Sequence, residues 1–160
     1  LEETEALEGL TQRFLQWAKP LDPQCVDLDL AEACAQALEE IRRRPVSRGL
    51  QLDQEGQGRA LGDPMLLHQA LVNLLENACH ASPSGGRVAL RVEHRAIEIL
   101  DEGPGFGEDT AIRMLRPFES GRPDGTGLGL PLALKWVNAQ GADLKLDTRP
   151  EGGPRVRISW

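Results

Sequence analysis

The chain has 160 residues, 40% hydrophobic and 27% charged, with a formal net charge of −7. That is the size of one domain with an ordinary core, and the negative balance argues against a nucleic-acid partner, which needs a basic face. Three cysteines without C-x-x-C or histidine-rich spacing exclude a zinc site and a disulfide framework, and no apolar run reaches the roughly 18 residues of a membrane span.

The chain opens inside a helical pattern with neither methionine nor cap, as an excised segment of a longer protein would. Leu7, Leu10, Phe14 and Trp17 recur at the spacing of an amphipathic stripe, suited to a partner helix or to packing on its own domain. Lys19-Pro20 and Asp22-Pro23 end it, so a boundary falls near residue 20, between a helical stub (1–20) and the main domain (21–160). Cys25–Leu28 reads as a short strand and Leu30–Arg44 as a helix with Asp29 near its start. Leu50–Asp53 and Arg59–Leu61 are weaker strand candidates. Asp63-Pro64 is a strong helix entry, and that helix runs to about Ser82, where Pro83-Ser84-Gly85-Gly86 breaks it. Arg87–Glu93 and Ala96–Leu100 alternate as a hairpin-like pair. Glu108–Leu115 suits a short helix and Leu128–Gln140 a longer one that Gly141 ends. Ala142–Thr148 and Pro154–Trp160 form a closing hairpin around Glu151-Gly152-Gly153. Mixed element order with at least two hairpins points to an α+β two-layer sandwich over a doubly wound sheet.

Two glycine-rich segments, Asp101–Gly107 (DEGPGFG) and Gly125–Gly129 (GTGLG), follow the helix that carries Asn73 and Asn77. Gly125, Gly127 and Gly129 stand just before an apolar helix, where free amides and the positive dipole end suit phosphate. The neighbouring Leu128 and Leu130 make a flexible linker a poor description, and the spacing is not that of a Walker loop. Asn73 and Asn77, spaced i, i+4, share a face of an apolar helix. Their neutral oxygens suit Mg²⁺, which retains water and phosphate ligands, although hydrogen bonding between helices would also satisfy them. Asp101 closes an apolar strand: its carboxylate could accept from the amino group of adenine, or it could serve a local D-x-G turn. Arg113, Arg116 and Arg122 supply local cations for phosphate, or simply a solvated face.

Leu71–Ala78 (LVNLLENA), Asp101–Gly107, Pro117-Phe118 and Gly125–Leu130 (GTGLGL) resemble, in order, the N, G1, F and G2 boxes of sensor histidine kinases. That family belongs to the superfamily of type II topoisomerase, MutL and heat-shock-chaperone ATPases, and the resemblance covers about residues 24–160. It implies a Bergerat-type fold: a mixed sheet of about five strands with three helices on one face. It implies Asn77 as the Mg²⁺ ligand with Asn73 assisting, Asp101 at the adenine amino group, and Gly103 and Gly105 lining the base pocket. Gly125, Thr126, Gly127, Leu128 and Gly129 would meet the triphosphate of ATP with Arg122, and Phe118 would anchor the lid. His80 stands where many relatives place a Lys or Arg near phosphate. Leu7–Pro20 resembles the end of the second helix of the dimerisation and phosphoacceptor hairpin. Glu119–Asp124 resembles the short lid of nitrogen-regulation-type kinases, with Gly121 and Gly125 as hinges. The implied setting is cytoplasmic, with no direct membrane contact in this segment, in a parent that could be membrane-anchored.

ATP-hydrolysing members of the superfamily usually carry a glutamate four residues before the metal-binding asparagine, as base for water. Here that position is Asn73, and Glu76, about 100° round the helix from Asn77, is expected to point elsewhere. The family's acceptor is a histidine followed by an acidic residue, whereas His68 precedes Gln69, His80 precedes Ala81 and His94 precedes Arg95. The resemblance therefore implies an autokinase domain whose partners are a phosphoacceptor hairpin in a homodimer and a response-regulator receiver. The alternatives are a stand-alone ATPase, an anti-sigma-type serine kinase, or a nucleotide-sensing interaction domain.

Overall fold

A computed structural model describes residues 2–120, 122 and 125–160. The chain runs α1 (Glu2–Ala18), β1 (Val26–Asp29), α2 (Leu30–Arg42), a 3₁₀ turn at Pro45–Ser47, β2 (Gln51–Gly56), β3 (Arg59–Gly62), α3 (Pro64–Ala81), β4 (Arg87–Glu93) and β5 (Ala96–Leu100). Then come α4 (Glu108–Met114), α5 (Gly129–Ala139), β6 (Asp143–Thr148) and β7 (Pro154–Ser159). The main sheet has five strands in the order β2-β4-β5-β7-β6. Only β2 and β4 pair in parallel, because α3 lies between them as a crossover; the other neighbours are antiparallel. The expected mixed five-stranded sheet is therefore present. β1 and β3 pair separately as a two-stranded ribbon, an association that neither short segment shows by itself.

Strand alternation divides the sheet. Val88, Leu90 and Val92 of β4, Ile97 and Ile99 of β5, and Val156 and Ile158 of β7 are buried beneath α2, α3 and α5, forming one core. The opposite face is an ion-pair lattice. Buried Glu98 on β5 accepts from Arg157 at 2.7 Å and lies 3.6 Å from Arg155 and 3.7 Å from Arg91. Arg87 and Arg91 reach Asp53 and Glu55 on β2, so cross-strand charge pairs stand where a second helical layer would otherwise be needed. Cys34 and Cys79 are buried free thiols, pushed up to about 12 and about 11 by desolvation first, while free Cys25 is exposed.

Both helices that frame the core begin at aspartate caps. Asp29 accepts from the amides of Ala31 and Glu32 at the start of α2. Asp63 accepts from Met65 at 2.9 Å and Leu66 at 3.0 Å, and its second oxygen takes the Gln24 amide at 2.7 Å. The Asp63 amide in turn donates to Gln140 Oε1, so this cap fixes α3 relative to both the linker and the end of α5. The α1 stripe divides: Leu10 packs on the core, whereas Leu7, Phe14 and Trp17 keep much of their surface in solvent. Among the described residues no helix is long and apolar enough to cross a membrane. Asp63→Ala is expected to lower the unfolding free energy by about 1–2 kcal/mol in urea denaturation, because three amides lose their acceptor at once.

Candidate functional site

The site forms where the start of α5 meets the middle of α3. The Asn73 amide nitrogen donates to the Gly129 carbonyl at 3.3 Å. A Cβ added at Gly129 would lie 3.4 Å from the Asn77 amide nitrogen, in ordinary van der Waals contact, so α5 passes beside Asn77 here. Asn73 thus provides the helix–helix hydrogen bond while its oxygen remains an acceptor. Unlike α2 and α3, α5 begins without a side-chain cap: Leu128 occupies the cap position, and its amide faces Thr126 Oγ1 at 3.4 Å. The amides of Gly129 and Leu130 are thereby left without a capping side chain, and Pro131, the third residue of the turn, has no N–H to satisfy.

A cavity of about 720 Å³ opens there, a size suited to a nucleotide. Of the expected site residues, Asn73, Asn77, His80, Gly105, Arg122, Gly125, Thr126, Gly127 and Gly129 line it. Gly103, Asp101, Phe118 and Leu128 are not in its wall; Leu128 is fully buried in the core and could offer only its backbone. Glu76 borders the cavity, but its carboxylate is held at 2.9 Å by Arg44, which is not in the wall, in keeping with a side chain expected to point elsewhere. Arg44 also binds Glu40, whose other oxygen is 2.6 Å from His68 Nε2; this draws the Glu40 carboxyl below its usual range, His68 first and Arg44 next. Of the three expected arginines, Arg113 and Arg116 pair with Glu119, and only Arg122 reaches the wall.

Gly127 has φ +68°, and a Cβ there would come within 2.5 Å of the Phe118 backbone. The segment doubles back so that the Phe118 amide donates to the Gly127 carbonyl at 3.0 Å. Phe118 itself has φ +67°, a strained value for a bulky residue, and its ring stacks on Phe14 of α1 at 6.3 Å. Gly121, expected as a hinge with Gly125, lies outside the described residues, as does Asp124 at the end of the expected lid.

Asp101 is 5% exposed at the end of β5. Its Oδ1 accepts the Gly103 amide at 2.7 Å, so the local D-x-G turn is present. Desolvation outweighs that bond and the nearby Arg149 charge, raising the carboxyl from 3.8 to about 6. Arg149 donates to the Asp101 carbonyl at 3.0 Å, and Thr148 donates to Phe106 O at 2.8 Å behind Gly105, where a Cβ would strike Thr148 Oγ1 at 2.6 Å. Thr148 and Arg149 shape this pocket edge from a distant hairpin, a role that no local pattern announces.

Residues 62–160 match the family described as histidine kinase-, DNA gyrase B-, and HSP90-like ATPase. The chain belongs to that family. It is 29% identical over 158 residues to the C4-dicarboxylate transport sensor protein DctB of Rhizobium meliloti (strain 1021), covering 93% of this chain and 25% of DctB. It is 33% identical over 165 residues to the signal transduction histidine-protein kinase/phosphatase MprB of Mycolicibacterium smegmatis (strain ATCC 700084 / mc(2)155), covering 96% of this chain and 33% of MprB. The chain thus spans between a quarter and a third of these relatives. The solved mycobacterial sensor histidine kinase MprB aligns with TM-score 0.72 and 28% identity over 84% of this chain and 95% of that one. Full-length ShkA in complex with AMPPNP gives TM-score 0.82 at 22% identity over 98% of this chain and 36% of ShkA. ThkA in complex with the response regulator protein TrrA gives 0.75 at 21% over 98% of this chain and 47% of that one. The last two establish a shared fold.

The Asp101 carboxyl supports the fold below about pH 4 and loses that support as pH rises through about 6, because its folded value lies above the unfolded one. Asp101→Asn, which keeps the oxygen for Gly103, is expected to flatten stability over that window. It should also raise the unfolding free energy at pH 7 by about 1–3 kcal/mol. Urea titrations between pH 4 and 7 measure both effects.

Proposed function

We propose that this chain binds Mg-ATP and, within a longer protein, presents the γ-phosphate to a histidine on a dimerisation hairpin. The phosphate then passes to an aspartate of a response-regulator receiver. The observation that carries this reading is the hydrogen bond of Asn73 to the Gly129 carbonyl, with Asn73, Asn77 and Gly129 together on the wall of one cavity. Relatives named as histidine kinases, the AMPPNP complex of ShkA and the ThkA complex with a response regulator support it.

In this reading the α5 amides and Gly125–Gly129 hold the phosphates, and the second oxygen of Asp101 accepts from the adenine amino group. The donor set fits a magnesium ion that shares phosphate oxygens. Among the described residues no cluster of three acidic, cysteine or histidine ligands forms a closed site, and the two asparagines offer neutral oxygens beside the phosphate-binding backbone. Asn77, with Asn73, would hold that ion, which neutralises phosphate charge. His80 lies on the same wall, where an imidazole could donate to phosphate.

The wall favours transfer over hydrolysis. Asn73 occupies the position of the superfamily's general base and cannot usefully take a proton, and Glu76 is neutralised by Arg44. None of the three histidines precedes an acidic residue, so the acceptor belongs to another segment. Positioning and charge neutralisation supply the catalysis.

Calorimetric titration with ATP, with and without Mg²⁺, tests the reading. Asn77→Ala should weaken Mg-ATP about tenfold or more and metal-free nucleotide little, whereas Asp101→Ala should weaken both. Absence of ATP and ADP binding at millimolar concentration, or equal affinity in all three proteins, overturns it. Incubated with radiolabelled ATP, these 160 residues should incorporate no phosphate unless a segment with an acceptor histidine is added.

A further inference from the structure

α1 is more than a stalk beside the domain. Ala6, Gly9, Leu10 and Arg13, which fall on one helical face at i, i+3, i+4 and i+7, line the same cavity as Asn73, Asn77 and Gly127. Three independent contacts hold that face in place. Leu10 packs on the core, Phe14 stacks on Phe118, and the Lys135 ammonium of α5 binds the carbonyls of Trp17 and Lys19. The last contact puts a cation at the negative end of α1, where the helix dipole favours it.

The charges of the wall point to what this face does. Its two carboxylates are already taken: Glu76 by Arg44, and Glu119 by Arg113 and Arg116. Arg13 and Arg122 are the wall's arginines, and neither has an ion-pair partner among the described residues. In a chain of net charge −7, a polyphosphate needs such local cations, and an arginine can grip two phosphate oxygens at once. Arg13 also lies outside residues 62–160, the segment that defines the family match.

We infer that α1 forms one wall of the nucleotide site and that its Arg13 binds the phosphate chain of ATP. The inference rests on the Mg-ATP reading above, so the test compares ligands with and without phosphate in the whole chain. Arg13→Gln is expected to raise the Kd for ATP about tenfold, to leave adenosine within twofold, and to reduce the salt dependence of ATP binding. Arg13→Lys should fall between. Lys135→Met, which releases the end of α1, should also weaken ATP, and the Arg13→Gln substitution should then cost less than in the parent. If the parent binds ATP while Arg13→Gln binds it within twofold and with the same salt dependence, the inference fails and the ATP reading stands. Equal loss of ATP and adenosine would make Arg13 a packing residue and would also overturn it. A parent that binds neither ligand ends both readings.

Discussion

The site depends on one close contact, between the middle of α3 and the first residue of α5. The Gly129 carbonyl accepts a hydrogen bond from Asn73, and Gly129 lines the cavity together with Asn73 and Asn77. Everything that positions α3 therefore positions the site. Its apolar face, with Leu67, Leu71, Leu74 and Leu75 fully buried, fixes rotation about the helix axis, and the Asp63 cap fixes its start. Two asparagines one turn apart are then placed on the α5 side with no further device.

A second constraint is electrostatic. Burying Asp101 with its carboxyl raised to about 6 weakens the fold at neutral pH, and a local turn alone would not require it, since an asparagine could accept the same Gly103 amide. Under the proposed function, the adenine amino group is what this carboxylate is kept to recognise. The surrounding glycines make room for the groups that pack around it. Gly105 leaves room for Thr148, and Gly153 lets the Arg149 side chain and the Asp101 carbonyl approach each other. The distant β6–β7 hairpin is thereby tied to the glycine loop.

The two faces of the sheet solve different problems. Helices cover one, and complementary rows of arginine and carboxylate cover the other, with Glu98 at the centre of three arginines. The β5 strand could thus be buried throughout without a second helical layer. α2, α3 and α5 all remain on one side of the sheet, the side that carries the cavity.

Much of this was legible in the sequence, because the signals are local. Aspartate caps, the proline and glycine stops, the period-two strands and the i, i+4 asparagines depend on neighbours a few residues away, and every main element lies within a few residues of its expected place. The match of motif order to family needed no coordinates either. Tertiary structure alone decided which segments meet. The pairing of β1 with β3, the capture of Glu76 by Arg44, the contact of Thr148 with the loop at Gly105, and the docking of α1 through Phe14 and Lys135 all join residues far apart in the chain. Each depends on shape and charge that exist only once the core has packed. For that reason the amphipathic stripe of α1 could be read from the sequence, while the cavity that Arg13 faces could not.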